Sequence, residues 1–268
     1  TCMAVLNIDA PFQTKYSIDT CCEELIYHLQ LKYGKYISIS QNKLNKVISV
    51  KKVNNIFIVH YQMEECVTTY PLQEIDRIMF DNTEYDDSIF ALHGAAVEWK
   101  GKAYLFLAPT TSGKTTLASY LSITGFGYIT DDCILLDRKN FEIYPYCSPL
   151  HLRSGGLAVL KKHKINIPDF QHLDDCCIDR YVYTPTNSIT KTIPLAKIFF
   201  ISIVKEKNRL VKMNFKEKMT QLMMAPITNY NVSSEYIRFI SRLASTECCK
   251  LFYNDMDYVA KVVYDNEQ

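Results

Sequence analysis

The sequence predicts an α/β protein whose core is built around a phosphate-binding loop (a P-loop) and is preceded by a small β-rich α+β lobe. Three observations carry that prediction. The apolar run "LFLA" at residues 105–108 enters the turn "PTTSG" and leaves it in the helix-forming stretch "KTTLASYL"; strand, glycine-bearing turn and helix in that order let backbone N–H groups surround a phosphate. Every glycine except Gly34 falls between Gly94 and Gly156, so the conformations that only glycine tolerates are concentrated in one stretch. Upstream of it, short runs of β-branched and aromatic residues dominate.

Those runs, in order, are "KYISIS", "KVISV", "NIFIVHYQ" and "CVTTY", with Asn54-Asn55 as a hairpin turn between the second and third. Pro71 opens a helix over "PLQEIDRIMFDN", since proline suits the first helical position. An N-terminal lobe of residues 1–86 is therefore expected to end at the acidic linker "NTEYDD", with a second domain over 87–268. That domain opens with two strands, "SIFALHGAAVEW" and "KAYLFLA", joined at Lys100-Gly101. The loop helix "KTTLASYLSIT" and the strands "GYIT" and "CILLD" follow. Residues 150–190, containing His151, Arg153, His163 and His172, read as polar and irregular, a surface loop or a substrate-binding element. The remainder alternates the strand "LAKIFFISIV", a hairpin turn, the helices "FKEKMTQLMMA" and "SEYIRFISRLA" (capped by Ser233), and a last strand and helix, "KLFYN" and "MDYVAKVVYD".

Composition narrows the function. Lys and Arg number 30 against 29 Asp and Glu, for a net charge of +1, so no global field advertises nucleic acid or an anionic membrane. No run of eighteen apolar residues appears, and Asp9, Asp19, Glu23 and Glu24 interrupt the first thirty, which predicts neither a membrane span nor a secretory signal. Six of the 10 cysteines are adjacent pairs, Cys21-Cys22, Cys176-Cys177 and Cys248-Cys249. Adjacent cysteines reach disulfide geometry only with strain, so reduced thiols and a cytoplasmic location are expected.

Against the pattern G-x-x-x-x-G-K-[ST], residues 108–115 read A-P-T-T-S-G-K-T. Thr110, Thr111, Ser112, Gly113, Lys114, Thr115 and Thr116 form the expected nucleotide-binding set. Lys114 reaches the β- and γ-phosphates and the Thr115 hydroxyl ligates Mg²⁺. The glycine before the lysine, where backbone passes closest to phosphate, is present. Ala108 takes the first position, where Pro109 biases it to extended geometry. Asp131 and Asp132 end the strand after the loop helix. In a parallel sheet they would share the loop's edge, where a carboxylate holds a metal or takes a proton from an attacking hydroxyl. His93, in "ALHGA", reads from spacing alone as a structural strand histidine.

Together, "LHGAAVEWKGKAYLFLAPTTSGKTTLASYLSITGFGYITDDCILLD" resembles the HPr kinase/phosphorylase family over residues 91–150. That family places an H-G pair on a strand, a phosphate loop shortly after and a D-D pair at the next strand end. The resemblance implies an HPr-kinase-type core, ATP and Mg²⁺ as cofactors, nucleotide binding by Gly113, Lys114 and Thr115, and catalytic roles for Asp131, Asp132 and His93. The metal is expected on Thr115 and Asp132. It also raises a homo-oligomer, since the bifunctional members are hexamers. Ala108, Thr110 and Thr111 depart from the bifunctional loop G-x-S-G-x-G-K-S, and "HLRSGGL" only faintly echoes the segment linked to phosphorolysis. Arg153, the arginine there, reads as either a substrate contact or a surface residue on a Gly155-Gly156 turn. The closer likeness is to kinase-only relatives of ribosomal peptide biosynthesis, such as lasso-peptide kinases, through "GFGYITDD" and "PYCSPLHL". The expected activity is transfer of the γ-phosphoryl group of ATP to a hydroxyl, foremost a serine of a precursor peptide or small protein. A small-molecule kinase and a nucleotide-binding regulatory module without transfer are the alternatives.

Overall fold

The computed structural model describes residues 4–9, 14–82, 88–109, 112–163, 166–175, 178–227 and 231–265. The chain folds into two units, Thr1–Asp86 with Ser148–Gly155 and Asp169–Thr184, and Asp87–Cys147 with Gly156–Pro168 and Pro185–Gln268.

The first unit begins with β1 (Ala4–Asp9) and β2 (Lys15–Thr20), followed by helix α1 (Glu23–Tyr33) and by β3 (Ile37–Ser40), β4 (Val47–Val53), β5 (Ile56–Tyr61) and β6 (Glu64–Thr68). They form one sheet in the order β3-β1-β2-β4-β5-β6, antiparallel except where β2 meets β4. Asn54 turns the β4–β5 hairpin with φ +55°, a conformation that asparagine tolerates better than most residues. Helix α2 (Pro71–Asp81) starts on Pro71. Leu25 and Leu29 of α1 and Leu72 and Ile75 of α2 join Leu6, Ile18, Ile48 and Val59 in one core. Asp76 binds both the Lys32 ammonium and the Tyr33 hydroxyl, tying the helices together.

In the second unit, β7 (Ile89–Trp99) and β8 (Lys102–Leu107) make a hairpin over Lys100 and Gly101, both at positive φ. Then come α3 (Lys114–Ile123), β9 (Gly127–Thr130), β10 (Cys133–Asp137) and β11 (Glu142–Tyr144). The next strand, β12 (Leu150–Arg153), belongs to the first unit, as do β13 (Gln171–Asp175) and β14 (Ile178–Tyr183). Between them, α4 (Ser154–Lys162) lies in the second unit from Gly156 onward. The chain ends with β15 (Ile193–Ile203), β16 (Arg209–Lys212), α5 (Phe215–Met223), α6 (Ser234–Ala244), β17 (Glu247–Tyr253) and α7 (Met256–Asp265). The large sheet runs β11-β10-β7-β8-β15-β17-β16, with β9 on β7. β8, β15 and β17 are parallel, while β7 and β10 run against their neighbours.

The division departs from the expected 1–86 and 87–268. Residues 150–190 are not the irregular loop that their polarity suggested: β12, β14 and β13 form a three-stranded sheet. Half-exposed strands alternate, and Leu150 and Leu152 are buried between more polar neighbours, so average polarity conceals the period-two signal. Leu173 and Val182 complete the core of the first unit, which is why these segments belong to it. The His151 ring sits there too, its Nε2 3.1 Å from the Lys32 carbonyl. Gly155 and Gly156 lie in the first turn of α4 rather than in a free turn.

Cys21, Cys22, Cys248 and Cys249 are free thiols, and Cys176-Cys177 fall outside the described residues. Among the described residues, no helix is long and apolar enough to cross a membrane.

Candidate functional site

The site candidates in the second unit hang on three strands. β8 is buried from Ala103 on and delivers the chain to Ala108 and Pro109. Thr110 and Thr111 lie outside the described residues. The chain then passes through Ser112, whose hydroxyl donates to the Pro109 carbonyl at 2.6 Å, and through Gly113 at φ +82°. That left-handed conformation, together with Ile203 Cδ1 only 2.8 Å from where a Cβ would stand, calls for glycine. Lys114 opens α3, so the first N–H groups of the helix, which have no partners within it, face back toward the loop. Its side chain is buried, and its ammonium donates to the carbonyls of Ala108 and Pro109, both at 2.9 Å. Burial holds its pKa below the usual lysine value, while Asp132 and Asp131 oppose that shift. Thr116 is half-buried one residue past Thr115.

β9 is not beside β8 as a fully parallel sheet would have it. β7 lies between them and runs against both, so β8 and β9 still point the same way and end on one edge. Asp131 follows β9 there. It is buried at 5% exposure and hydrogen-bonded by the Thr115 side chain, yet its Oδ1 has no partner among the described residues. Burial and then the neighbouring Asp132 charge push its pKa well up, against the pull of Thr115 and Lys114. Asp132 turns the chain into β10 at φ +78°, a backbone state uncommon for residues other than glycine and of the kind found at functional sites.

The third strand brings His93, in register with Cys133. Its Nδ1 lies 3.2 Å from the Asp132 carbonyl, and the Gly94 N–H lies 3.3 Å from the same oxygen. A carbonyl only accepts, so Nδ1 carries the proton and Nε2 keeps its lone pair. Burial and then the Lys114 ammonium hold the histidine pKa below its ordinary value, against Asp132, so the ring is neutral at neutral pH. Gly94 allows the close approach: a Cβ would stand 2.5 Å from Leu107 Cδ2 and 2.8 Å from the Phe106 carbonyl oxygen.

Lys114, Thr115, Asp131, Asp132 and His93 are thus one electrostatically linked group. Within it the Thr115 side chain acts on the Asp131 carboxyl. Arg153 is exposed on β12 of the first unit, in register with Arg180.

Sequence reading missed the wall beside His93. The helix expected over "FKEKMTQLMMA" stops at Met223, and the chain then lies along β7. The His93 N–H donates to the Ala225 carbonyl at 2.9 Å and the Ile227 N–H to the Ala91 carbonyl at 3.1 Å. Pro226 explains the stop, since proline disfavours helical geometry in the residue before it. This segment closes a pocket of about 490 Å³ lined by His93, Leu107, Phe200, Gln221, Met224 and Ile227, among others. Its only signal in the sequence was that proline.

A second group, His163, Asp255 and Asp257, has ligand atoms within 4.8 Å of one another. Its carboxylates already have structural duties: Asp255 accepts from the Asp257 N–H beside the start of α7, and Asp257 accepts from the Tyr120 hydroxyl.

No protein-family model and no curated protein matches the chain. Among solved structures it is similar to the Hpr(Ser) kinase/phosphatase from Coxiella burnetii, at 9% identity and a TM-score of 0.34, over 66% of this chain and 90% of that one.

Proposed function

We propose that the protein is an ATP- and Mg²⁺-dependent kinase that transfers the γ-phosphoryl group to a hydroxyl, foremost a serine of a peptide or small protein. One observation carries the reading: a lysine and a threonine at a helix start, two adjacent acids and a neutral histidine from three different strands form one linked group. The residues fit the cofactors. A left-handed glycine leading into free helix N–H groups suits phosphate. The unpartnered Asp131 Oδ1 beside the Thr115 hydroxyl offers hard oxygen donors of the kind that Mg²⁺ takes. Bound Mg²⁺ would supply charge neutralisation at the transferring phosphoryl oxygens.

The chain's own residues do the remainder. Lys114 exchanges the carbonyls of Ala108 and Pro109 for phosphate oxygens, a stronger charge-assisted contact. Thr115 and Asp131 hold the metal. Asp132, whose charge reaches both Lys114 and His93, takes the proton of the acceptor hydroxyl, and the His93 Nδ1–H, donating to the Asp132 carbonyl, holds that turn in place. Catalysis of this kind is mostly positioning and charge stabilisation, so few residues suffice. The segments "GFGYITDD" and "PYCSPLHL" favour the kinase-only relatives of peptide biosynthesis as the type.

The test is release of γ-phosphate from labelled ATP, with and without serine peptides, by the wild type and by Lys114→Ala. Turnover is expected to fall about a hundredfold or more in the variant while the fold survives. A folded Lys114→Ala protein with wild-type turnover would sink the reading.

A further inference from the structure

The pocket beside His93 carries more information than its size. Leu107 and Phe200 come from adjacent strands, Met224 and Ile227 from the segment after α5, and among the described residues no Lys, Arg, Asp or Glu side chain lines it. It therefore does not suit a phosphate or a charged group, whose burial without a partner is costly. The pocket borders both His93 and the two residues whose carbonyls hold the Lys114 ammonium, Ala108 and Pro109. Its outer wall is pinned by main-chain hydrogen bonds to β7, while Met224 stands 77% exposed at its edge. An exposed methionine is an adaptable apolar contact, and the Gln221 amide can pair with a peptide group.

We propose that this pocket receives an apolar side chain flanking the acceptor serine, so that the protein selects serine in an apolar peptide context. The inference rests on the phosphoryl-transfer reading above, and its test separates the two.

A peptide library with a fixed central serine and randomised flanks is incubated with γ-labelled ATP and Mg²⁺, and a fluorescent ATP analogue measures nucleotide affinity independently. Wild type is expected to favour Leu, Ile, Met or Phe over Asp, Glu or Gly at one flanking position by about tenfold, the scale of discrimination by an apolar pocket. Met224→Glu should erase that preference and admit Lys, Met224→Leu should keep it, and nucleotide affinity should be the same in all three. Labelling without a flank preference, or with one unchanged by Met224→Glu, overturns the proposal. So does weakened nucleotide affinity in Met224→Glu, which would make this the base pocket, or nucleotide binding with no peptide labelled. Failure of wild type to bind the nucleotide at all removes the transfer reading, and the pocket assignment with it.

Discussion

His151→Leu should change the sign of its effect with pH. The wild-type ring is buried in the first unit: Nε2 donates to the Lys32 carbonyl, and Nδ1 has no partner among the described residues. Burial, with Lys32 and Arg180 adding positive charge, pushes its pKa down to about 3. The unfolded chain takes up a proton near pH 6.5, whereas the folded unit refuses it until much lower pH. Stability is therefore fully present above about pH 6.5 and is lost as pH falls toward 3, at up to about 1.4 kcal/mol per pH unit. Relative to neutral pH, the loss is about 2 kcal/mol at pH 5 and about 3 kcal/mol at pH 4. Leucine has no such titration but leaves the Lys32 carbonyl without its donor, a cost of about 1–2 kcal/mol at every pH. The variant should be the less stable protein at pH 7 and the more stable below about pH 5. Hydrogen exchange of peptides from α1, β12 and β14 measures this locally. Trp99, the only tryptophan, lies in the second unit and reports that unit by its fluorescence. Stability curves for the two proteins that run parallel from pH 7 to pH 4 would refute the reasoning.

The two acids should separate by a readout other than turnover. In Asp131→Asn the metal-free protein should gain stability relative to wild type as pH rises above about 4, because the native carboxyl holds its proton and wild type loses stability through that window; Mg²⁺ should raise the melting temperature of wild type but not of this variant. Asp132→Asn should keep the Mg²⁺ response and lose turnover, and an identical Mg²⁺ response in both variants would remove the proposed division of labour. Gly94→Ala places a Cβ against the Phe106 carbonyl and the Leu107 side chain, so it should cost about 1–3 kcal/mol by overpacking, read by urea denaturation with Trp99 fluorescence. Gly113→Ala keeps a left-handed φ and should cost about 1–2 kcal/mol, with nucleotide affinity falling as well; an unchanged denaturation midpoint would contradict the geometry of that turn.

The sequence announced its local features most clearly. The turns at Asn54-Asn55 and Lys100-Gly101, the helix opened by Pro71 and the cap at Ser233 are all where short-range chemistry puts them. The strand and helix flanking Gly113 were equally visible, because period-two and helical patterns change over within a few residues. Long-range pairing was not. Nothing in "GYIT" says that β7 will stand between it and β8, since a strand's partner depends on the whole sheet. His93 looked structural because its orienting partner, the Asp132 carbonyl, is a main-chain atom that no residue pattern reveals. Asp131 and Asp132 were indistinguishable until burial placed one against Thr115. The strands β12 to β14 were lost in polar composition.

The return of residues 148–155 and 169–184 to the first unit bears on biosynthesis. A ribosome delivers residues 1–86 early, but Leu173 and Val182, which complete that unit's core, emerge only after most of the large sheet's strands have been made. The leading segment must therefore wait with part of its apolar surface uncovered. Such sequence-distant closure slows folding and lengthens the exposure of sticky intermediates. A truncation product ending near residue 147 should be soluble only with a chaperone's help, and residues 1–86 expressed alone should aggregate unless β12 to β14 are supplied, for instance by joining residues 148–184 through a linker.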